Sequence, residues 1–282
     1  MANSSGMAAS AVGSVEAAVI REASHARRLA SVRRFCDRVL VLVLLLGVWE
    51  GVVRVGWVHP FFISQPSAIV QDIYTLFASG YIWPHLAITF YETIVGLLLG
   101  TVLGMSMGFG AALSTRFADA IQPVIVAFSS MPRVAIAPLF IIWFGFGADS
   151  KIALATSVVF FIVFFNTFSG LRAIEPVLLN NIRSMGGSEL HVLRFVSAPY
   201  TLAWVFAATK TSISMALISA VVGEFVGSTS GLGWIMVQAS GTLDTTRLFA
   251  IMTILAIFGS AIFSAVRMLE DRVLKWRPSQ EG

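Results

Sequence analysis

Six long apolar stretches dominate this chain, and short polar segments separate them. The stretches cover about residues 37–57, 86–111, 117–147, 151–171, 200–224 and 246–266. Each is long enough to cross the hydrocarbon core of a bilayer, which takes about 20 residues of helix. Since 57% of the residues are hydrophobic and only 12% are charged, a water-soluble fold could not bury this much apolar surface. The sequence therefore predicts an all-α integral membrane protein with six transmembrane helices.

The third stretch cannot form one straight helix, because it contains Pro123, Pro132 and Pro138. A proline inside a helix removes a backbone hydrogen bond and displaces the preceding turn, so we expect a broken span. Arg133 lies between two of these prolines. Carbonyl groups freed by the break can line a water-filled path, which makes Arg133 a candidate for assisting an anion. The alternative is a structural arginine at a broken helix end.

Four glycines recur at every fourth position of the second stretch, namely Gly96, Gly100, Gly104 and Gly108. Residues with this spacing lie on one face of a helix, and a face without side chains lets a second helix approach closely. We assign these glycines to helix packing and to no chemistry. In the same stretch we expect Glu92 at the wet outer edge of the membrane, with pairing to a nearby cation as the alternative.

Polar residues in the fourth and fifth stretches are further candidates for the translocation path. Asn166 and Thr167 could contact substrate or form hydrogen bonds between helices. Glu224 ends the fifth stretch and precedes a glycine-rich segment at 225–245. This segment either turns back toward the path as a gate or is an ordinary loop with a capping helix.

The segment at 175–199, between the fourth and fifth stretches, is too polar to lie in lipid. Pro176 suits the first turn of a helix, because the missing N–H would have no partner there. Gly186 and Gly187 then interrupt the helical pattern, and Ser188 can cap a second helix. We predict two short helices joined by a glycine turn at the membrane surface. Such an element can be a binding site for another protein, or it can simply join two spans.

This segment, EPVLLNNIRSMGGSELHVLRFVSAP, resembles the cytoplasmic coupling segment in permease subunits of bacterial ABC importers. Gly186 stands at the position of the glycine in that family's sequence pattern. Val196 stands at its apolar position, and Pro199 stands at the position of its proline. The residues at 180–182 and Ala198 depart from the pattern. Two further runs, QPSAIVQDIYTLF and SSMPRVAIAPLFIIWFGFG, resemble the family and its nitrate, sulfonate and taurine branch.

The resemblance implies a six-helix permease subunit with a cytoplasmic coupling helix-turn-helix between spans 4 and 5. The residues implied to contact the ATPase are Arg183, Ser184, Gly186, Gly187, Ser188, Glu189 and Pro199. It also implies two copies of an ABC ATPase, a second permease copy, a periplasmic or lipid-anchored substrate-binding protein and surrounding membrane lipids. The implied substrate is a small organic anion such as a sulfonate, taurine or nitrate. An aromatic or pyrimidine-type vitamin precursor is the alternative, and the candidate path residues are Arg133, Asn166 and Glu224.

Motifs for ATP hydrolysis and metal binding are absent from the sequence. It contains no G-x-x-x-x-G-K-[ST] phosphate loop, no H-E-x-x-H and no Cys/His cluster. We therefore expect no catalytic, cofactor-binding or metal-binding residue in this chain. ATP and Mg²⁺ are expected on the separate ATPase subunit, and the scattered positive charge does not suggest nucleic-acid binding.

Positive charges predict the orientation in a bacterial inner membrane. With the N-terminus inside, 14 arginines and lysines fall on the cytoplasmic side, and two more are embedded. The three on the outer side are Arg54, Lys151 and Arg247. Both termini are then cytoplasmic. We expect a disordered basic tail at 1–35, a permease domain at 36–275 and a short tail at 276–282.

An ion-gradient-driven secondary transporter is the rival interpretation from another functional class. It predicts inverted repeats and several carboxylates near the middle of the membrane. No repeat is evident, and we place Glu50, Glu92 and Glu224 near the ends of their spans. The sequence therefore favours the importer.

Overall fold

The computed structural model describes residues 33, 36, 37 and 39–275, without the side chains of Thr115, Arg133 and Val134. All regular structure in this part of the chain is helical. The two predicted tails fall outside the described residues, apart from Arg33. The prediction of an all-α membrane protein is confirmed.

Twelve helices follow one another along the described chain. They are α1 (39–54), α2 (Pro60–Ile63), α3 (Pro66–Ala78), α4 (Ile82–Leu113), α5 (Thr115–Ser129), α6 (Arg133–Phe144), α7 (Ala148–Arg172), α8 (Pro176–Ser184), α9 (Glu189–Val192), α10 (Ala198–Val226), α11 (Leu232–Gly241) and α12 (Thr245–Val273). A π-helical turn, Leu193–Ser197, joins α9 to α10 without interruption.

Four helical stretches in the described chain are long and apolar enough to cross a membrane. They are α4, α7, the continuous stretch Glu189–Val226 and α12. The third predicted span is broken, as expected. It forms α5 and α6, and the chain leaves the helix before Pro132, which caps α6 with extended backbone. Because α6 is short and 16 residues of α1 are described, the predicted count of six spans is not established.

The chain divides into two compact units, residues 1–67 and 68–282. Within the first unit, the Glu50 carboxylate on α1 accepts hydrogen bonds from the amide and the hydroxyl of Ser67, at 3.0 and 2.7 Å. It also forms an ion pair with Arg54 at 2.8 Å. Glu50 thus binds the amide and the hydroxyl of a residue in the first turn of a helix, where an acidic group is favourable.

The core of the second unit forms where α4 and α10 pack against α7. Its buried side chains include Leu97 of α4, Val159 and Val163 of α7, and Val205 and Ile213 of α10. Val159 and Val163 are fully buried. These helices therefore bury their apolar faces against each other, and the remaining apolar faces stay exposed, as in lipid-facing helices.

The glycine face of α4 lies directly against α7. A β-carbon at Gly96 would lie 2.5 Å from the β-carbon of Ala155, and one at Gly100 would lie 2.6 Å from that of Val159. At Gly104 it would lie 2.6 Å from the carbonyl oxygen of Phe160. Gly108 faces α7 in the same way, 2.7 Å from a carbonyl oxygen. The helix backbones approach so closely that no side chain fits between them.

We expect Gly104→Ala to destabilise the protein, because the obstacle at this position is backbone that cannot rotate away. Overpacking of this kind costs about 1–3 kcal/mol. Gly110→Ala is the matched control, since Gly110 lies on the same helix with nothing within 4 Å of the added methyl group. The control should be neutral or stabilising by up to about 1 kcal/mol. Thermal unfolding of the detergent-solubilised proteins tests this, and equal melting temperatures for the two variants would contradict the packing role.

Candidate functional site

The segment between α7 and α10 forms the predicted helix-turn-helix. Glu175 precedes α8, and Pro176 occupies its first turn. At the end of α8, Gly186 has a positive φ of 80°, which is unfavourable for residues with a β-carbon. The amides of Gly186 and Gly187 donate to the carbonyls of Arg183 and Ile182, at 3.0 and 2.9 Å. These bonds close the helix end in a left-handed glycine turn.

Side chains on both sides of this turn hold α9 in place. Ser188 caps α9, and its amide donates to Nδ1 of His191 at 3.2 Å. Arg183 of α8 donates to both carboxylate oxygens of Glu189, at 2.8 and 3.0 Å. These hydrogen bonds raise the pKa of Arg183 above its usual value, so its charge is constant. Because the pair is exposed, it orients the turn more than it stabilises the fold.

Large apolar side chains project from this polar segment. The sequence pattern placed Leu190 on an apolar helix face, and it did not single out Met185 or Phe195. Met185 at the turn is 85% exposed, Leu190 of α9 is 69% exposed and Phe195 is 62% exposed. Exposed apolar residues that cluster among polar ones are typical of protein-binding surfaces. The turn is also the start of the 38-residue stretch Glu189–Val226. The turn therefore leads directly into one continuous helix.

Ser184 and Pro199 were both predicted to contact the ATPase, but only Ser184 lies at the turn. Ser184 ends α8, and its hydroxyl donates to the carbonyl of Asn180 at 2.9 Å. Pro199 lies directly after the π-helical turn, in the first turn of α10. The exposed turn itself consists of the residues from Arg183 to Glu189, and Pro199 lies outside it.

At the other end of α10, the buried Glu224 carboxylate holds the beginning of α11. It accepts hydrogen bonds from the Thr89 hydroxyl at 2.6 Å and from the Gly233 amide at 2.5 Å. The Thr89 hydroxyl in turn accepts from the Leu232 amide at 2.8 Å. An acidic group at a helix N-terminus satisfies unpaired amides and opposes the helix dipole. Glu224 therefore fixes α11 to α4 and α10.

Side-chain contacts also hold the loop before α11 in place. His85 accepts a hydrogen bond from the Gly231 amide at 3.1 Å, and its ring stacks on Trp234 at 5.3 Å. Gly231 has a φ of 108°, and a β-carbon there would collide with the carboxylate of Glu224. The glycine-rich segment thus contains a short helix with buried residues, and glycine is required where the backbone meets the carboxylate.

Lys151 is buried next to this carboxylate, with 1% of its surface exposed. Its Nζ donates to the carbonyls of Phe146, Gly147 and Gly227, at 2.5, 3.1 and 2.6 Å. All three donor positions are therefore used on backbone. Lys151 links the loop between α6 and α7 to the loop between α10 and α11.

Glu92 completes this buried charge cluster, which we define as Glu92, Lys151 and Glu224. Glu92 is 1% exposed and interacts with both other members. The expectation that Glu92 lies at a wet edge is wrong, and the alternative of a nearby cation agrees with the position of Lys151. The three residues lie on α4, α7 and α10, and helix packing brings them together. One carboxylate oxygen of Glu92 has no hydrogen-bond partner among the described groups, so Glu92 is the least satisfied member of the cluster.

The three predicted path residues do not meet in one site. Asn166 donates to the carbonyl of Ile162 on its own helix at 2.8 Å, so the expected hydrogen bond between helices is absent there. Asn166 lies 15 residues along α7 from Lys151, which is about 22 Å. The backbone of Arg133 begins α6, and its side chain is outside the description. Glu224 contacts α11.

Two further ion pairs join helices in the second unit, and neither was predicted. Lys210 of α10 pairs with Glu270 of α12 at 2.6 Å. Arg247, at the start of α12, forms two hydrogen bonds with the Asp72 carboxylate of α3, at 2.7 and 2.8 Å. A lone charge near a span is the only signal that the sequence offers for such pairs.

Comparisons with known sequences and structures identify the proteins that this chain resembles. Residues 100–275 match the family described as binding-protein-dependent transport system inner membrane component. The chain is 33% identical over 243 residues to a Bacillus subtilis protein named as an aliphatic sulfonates transport permease, covering 86% of this chain and 88% of that protein. It is 30% identical over 242 residues to the formylaminopyrimidine transport permease protein of Halalkalibacterium halodurans, covering 86% and 96%.

A solved structure shares the fold. In an inward-facing conformation of the MetNI methionine ABC transporter, one chain superimposes with a TM-score of 0.53 at 19% identity, covering 69% of this chain and 93% of that chain. The family match includes the glycine turn, Lys151 and Glu224, and it begins after Glu92.

Proposed function

Because the chain belongs to the family of binding-protein-dependent transport inner-membrane components, we propose that it forms half of a membrane path for a small organic anion. It is the transmembrane permease subunit of an ABC importer, a membrane subunit without enzymatic activity. Its partners are an ATPase and a substrate-binding protein. A second copy of the permease completes the path, and each copy engages one of two ATPase subunits that bind ATP and Mg²⁺.

The observation that carries the coupling role is the exposed glycine turn at the start of a continuous membrane helix. The turn offers Met185 and Leu190 to a groove of the ATPase, and the Arg183–Glu189 pair holds its shape. Closure of the ATPase subunits on ATP draws the two turns together. Since α10 continues from the turn, this movement changes the packing of the spans and alternates access to the path. ATP binding drives the change because the ATPase binds ATP differently in the two states.

The length of α10 supports a placement of its two ends on opposite sides of the membrane. Pro199 and Glu224 are 25 residues apart, which is about 37 Å of helix, and the hydrocarbon core is about 30 Å thick. The glycine turn and α11 therefore lie on opposite sides of the membrane. The excess of positive charge favours the turn on the cytoplasmic side, with both termini there. The loop before α11 then faces the substrate-binding protein.

We expect ATP-driven uptake of an aliphatic sulfonate or taurine when this permease is reconstituted in proteoliposomes with an ABC ATPase and binding protein encoded beside it. The sulfonate proposal is supported by the relative from Bacillus subtilis. The relative named for formylaminopyrimidine supports the alternative of a pyrimidine-type vitamin precursor. Uptake of labelled taurine, an alkanesulfonate and a pyrimidine distinguishes the two. Uptake driven by an ion gradient in the absence of ATPase would contradict the importer and favour a secondary transporter.

Arg133 is proposed to attract the anion at the break between α5 and α6. Replacing Arg133 with leucine should lower uptake by about tenfold, the effect of losing one charge-assisted hydrogen bond. ATPase activity stimulated by the binding protein should remain. Arg116→Leu is the matched control, because Arg116 is exposed near the start of α5. Unchanged uptake in Arg133→Leu would leave this arginine with a structural role only.

A further inference from the structure

A cavity of about 540 Å³ lies between α4 and the beginning of α10. Met105 and Phe109 line it from α4, and Leu202 and Val205 line it from α10. This volume is within the range of ligand-binding pockets, roughly 300–1,000 Å³, and the apolar lining suits a hydrocarbon chain. The proposed transport mechanism does not use this cavity.

One charged group gives the cavity a direction. Arg194 lies at one end, is exposed, and forms no ion pair with any described residue. The rest of the lining is almost entirely apolar, apart from Ser106 and Thr201, and Thr201 is 2% exposed. The cavity thus combines an apolar body with one cationic end.

The position of the cavity along α10 matches the depth of a lipid. Arg194 lies in the polar π-helical turn before α10, and Val205 lies seven residues beyond Ala198, about 10 Å into the span. An amphiphile with its charged end at Arg194 would therefore point its tail into the hydrocarbon core. In the proposed orientation this is the cytoplasmic leaflet, where anionic lipids are common.

We propose that this cavity binds an anionic phospholipid, with the phosphate on Arg194 and one acyl chain between α4 and α10. Arginine binds phosphate oxygens through paired hydrogen bonds. The basic tail at 1–35 is a poorer occupant, because Arg194 repels it. The bound lipid would contact both α4 and the beginning of α10, next to the glycine turn. The anionic lipid content of the membrane would then change how strongly ATP hydrolysis is coupled to transport. This consequence rests on the proposed function, whereas lipid binding does not.

Lipid retention by the intact importer complex tests the proposal. The complex is reconstituted in nanodiscs of phosphatidylcholine mixed with phosphatidylglycerol. It is then released from the nanodiscs, and native mass spectrometry measures the mass of the lipids that stay bound. The wild type should retain phosphatidylglycerol preferentially. Arg194→Gln should weaken this retention by about tenfold, the effect of losing one hydrogen bond to a charged group. Arg172→Gln is the matched control, because Arg172 is an exposed arginine at the end of α7 that does not line the cavity.

Three results would overturn the lipid site. They are equal retention of phosphatidylglycerol by Arg194→Gln and wild type, an equal loss in Arg172→Gln, and equal retention of phosphatidylcholine and phosphatidylglycerol by the wild type. Cysteine cross-linking tests a second permease copy as the occupant. In a Cys36→Ser background, Ser106→Cys places a thiol at the exposed edge of the cavity. A disulfide between two copies would show that protein covers it. Since retention is measured without transport, failure here leaves the importer function untouched.

Discussion

Replacing Gly186 with valine is expected to abolish the stimulation of ATPase activity by the binding protein, and with it transport, while the permease still folds. A β-carbon at Gly186 meets nothing within 4 Å, so the effect comes from backbone strain alone. With φ at 80°, a left-handed residue costs about 1–2 kcal/mol, and a β-branched one costs more. The turn relaxes by changing shape, and Met185 leaves its position for the ATPase.

The control for Gly186→Val is Gly80→Val. Gly80 has a φ of 75° and equally open surroundings, but it lies between α3 and α4. Both variants should lose similar stability, and only Gly186→Val should lose coupling. Gly186→Asn should retain part of the coupling, because asparagine tolerates the left-handed region. ATPase activity of the reconstituted complex is the measurement. Full coupling in Gly186→Val, or equal loss in Gly80→Val, would show that the shape of the turn is not what the ATPase recognises.

The second large effect is expected at Glu224, whose replacement by alanine should strongly destabilise the protein. It leaves Lys151 without one of its nearby carboxylates, and it leaves the amide of Gly233 without an acceptor. Each buried donor left without its acceptor costs about 1–3 kcal/mol, and because both Thr89 and Gly233 lose theirs, the apparent Tm should fall by roughly 10 °C in a chain of this size. Uptake should also fall, because α11 loses its attachment to α4 and α10.

Glu270→Ala is the matched control for Glu224→Ala. Glu270 is likewise a carboxylate near a lysine and forms an ion pair with Lys210, but the side chains of Lys210 and Glu270 are 26% and 15% exposed. Partly exposed ion pairs contribute about 1 kcal/mol or less, so this variant should remain close to the wild type. Combining Lys151→Met with Glu224→Gln should destabilise less than the sum of the single changes, because the two charges interact. Additive losses would show that the buried charge cluster does not act as a unit.

Features that depend on neighbouring positions in the chain were predictable. The break before Pro132 follows from the missing amide of proline, and the turn at Gly186 follows from two adjacent glycines in a helical pattern. The glycine face of α4 follows from a spacing of four. Each of these rests on the geometry of a single helix or turn, which a sequence displays directly.

The partners of the charged residues were not predictable in the same way. Glu92 and Lys151 looked like residues of the membrane edge, because each lies within a few turns of the end of its apolar stretch. Asn166 looked like a hydrogen-bond donor to another helix, and it bonds to its own. The apolar Met185 and Leu190 carry no motif, so their exposure at the turn emerges only from the structure.

By itself, the sequence determined that the chain is a helical membrane protein, where four of its spans lie, where a further apolar stretch breaks, and that a glycine turn precedes α10. Only the tertiary structure decided that Glu92, Lys151 and Glu224 meet, and that they hold α11. Hydropathy and periodicity describe how deep a helix lies and which residues share a face. The rotation and the axial offset of one helix against another are set by packing, here by the contact of the α4 glycines with α7.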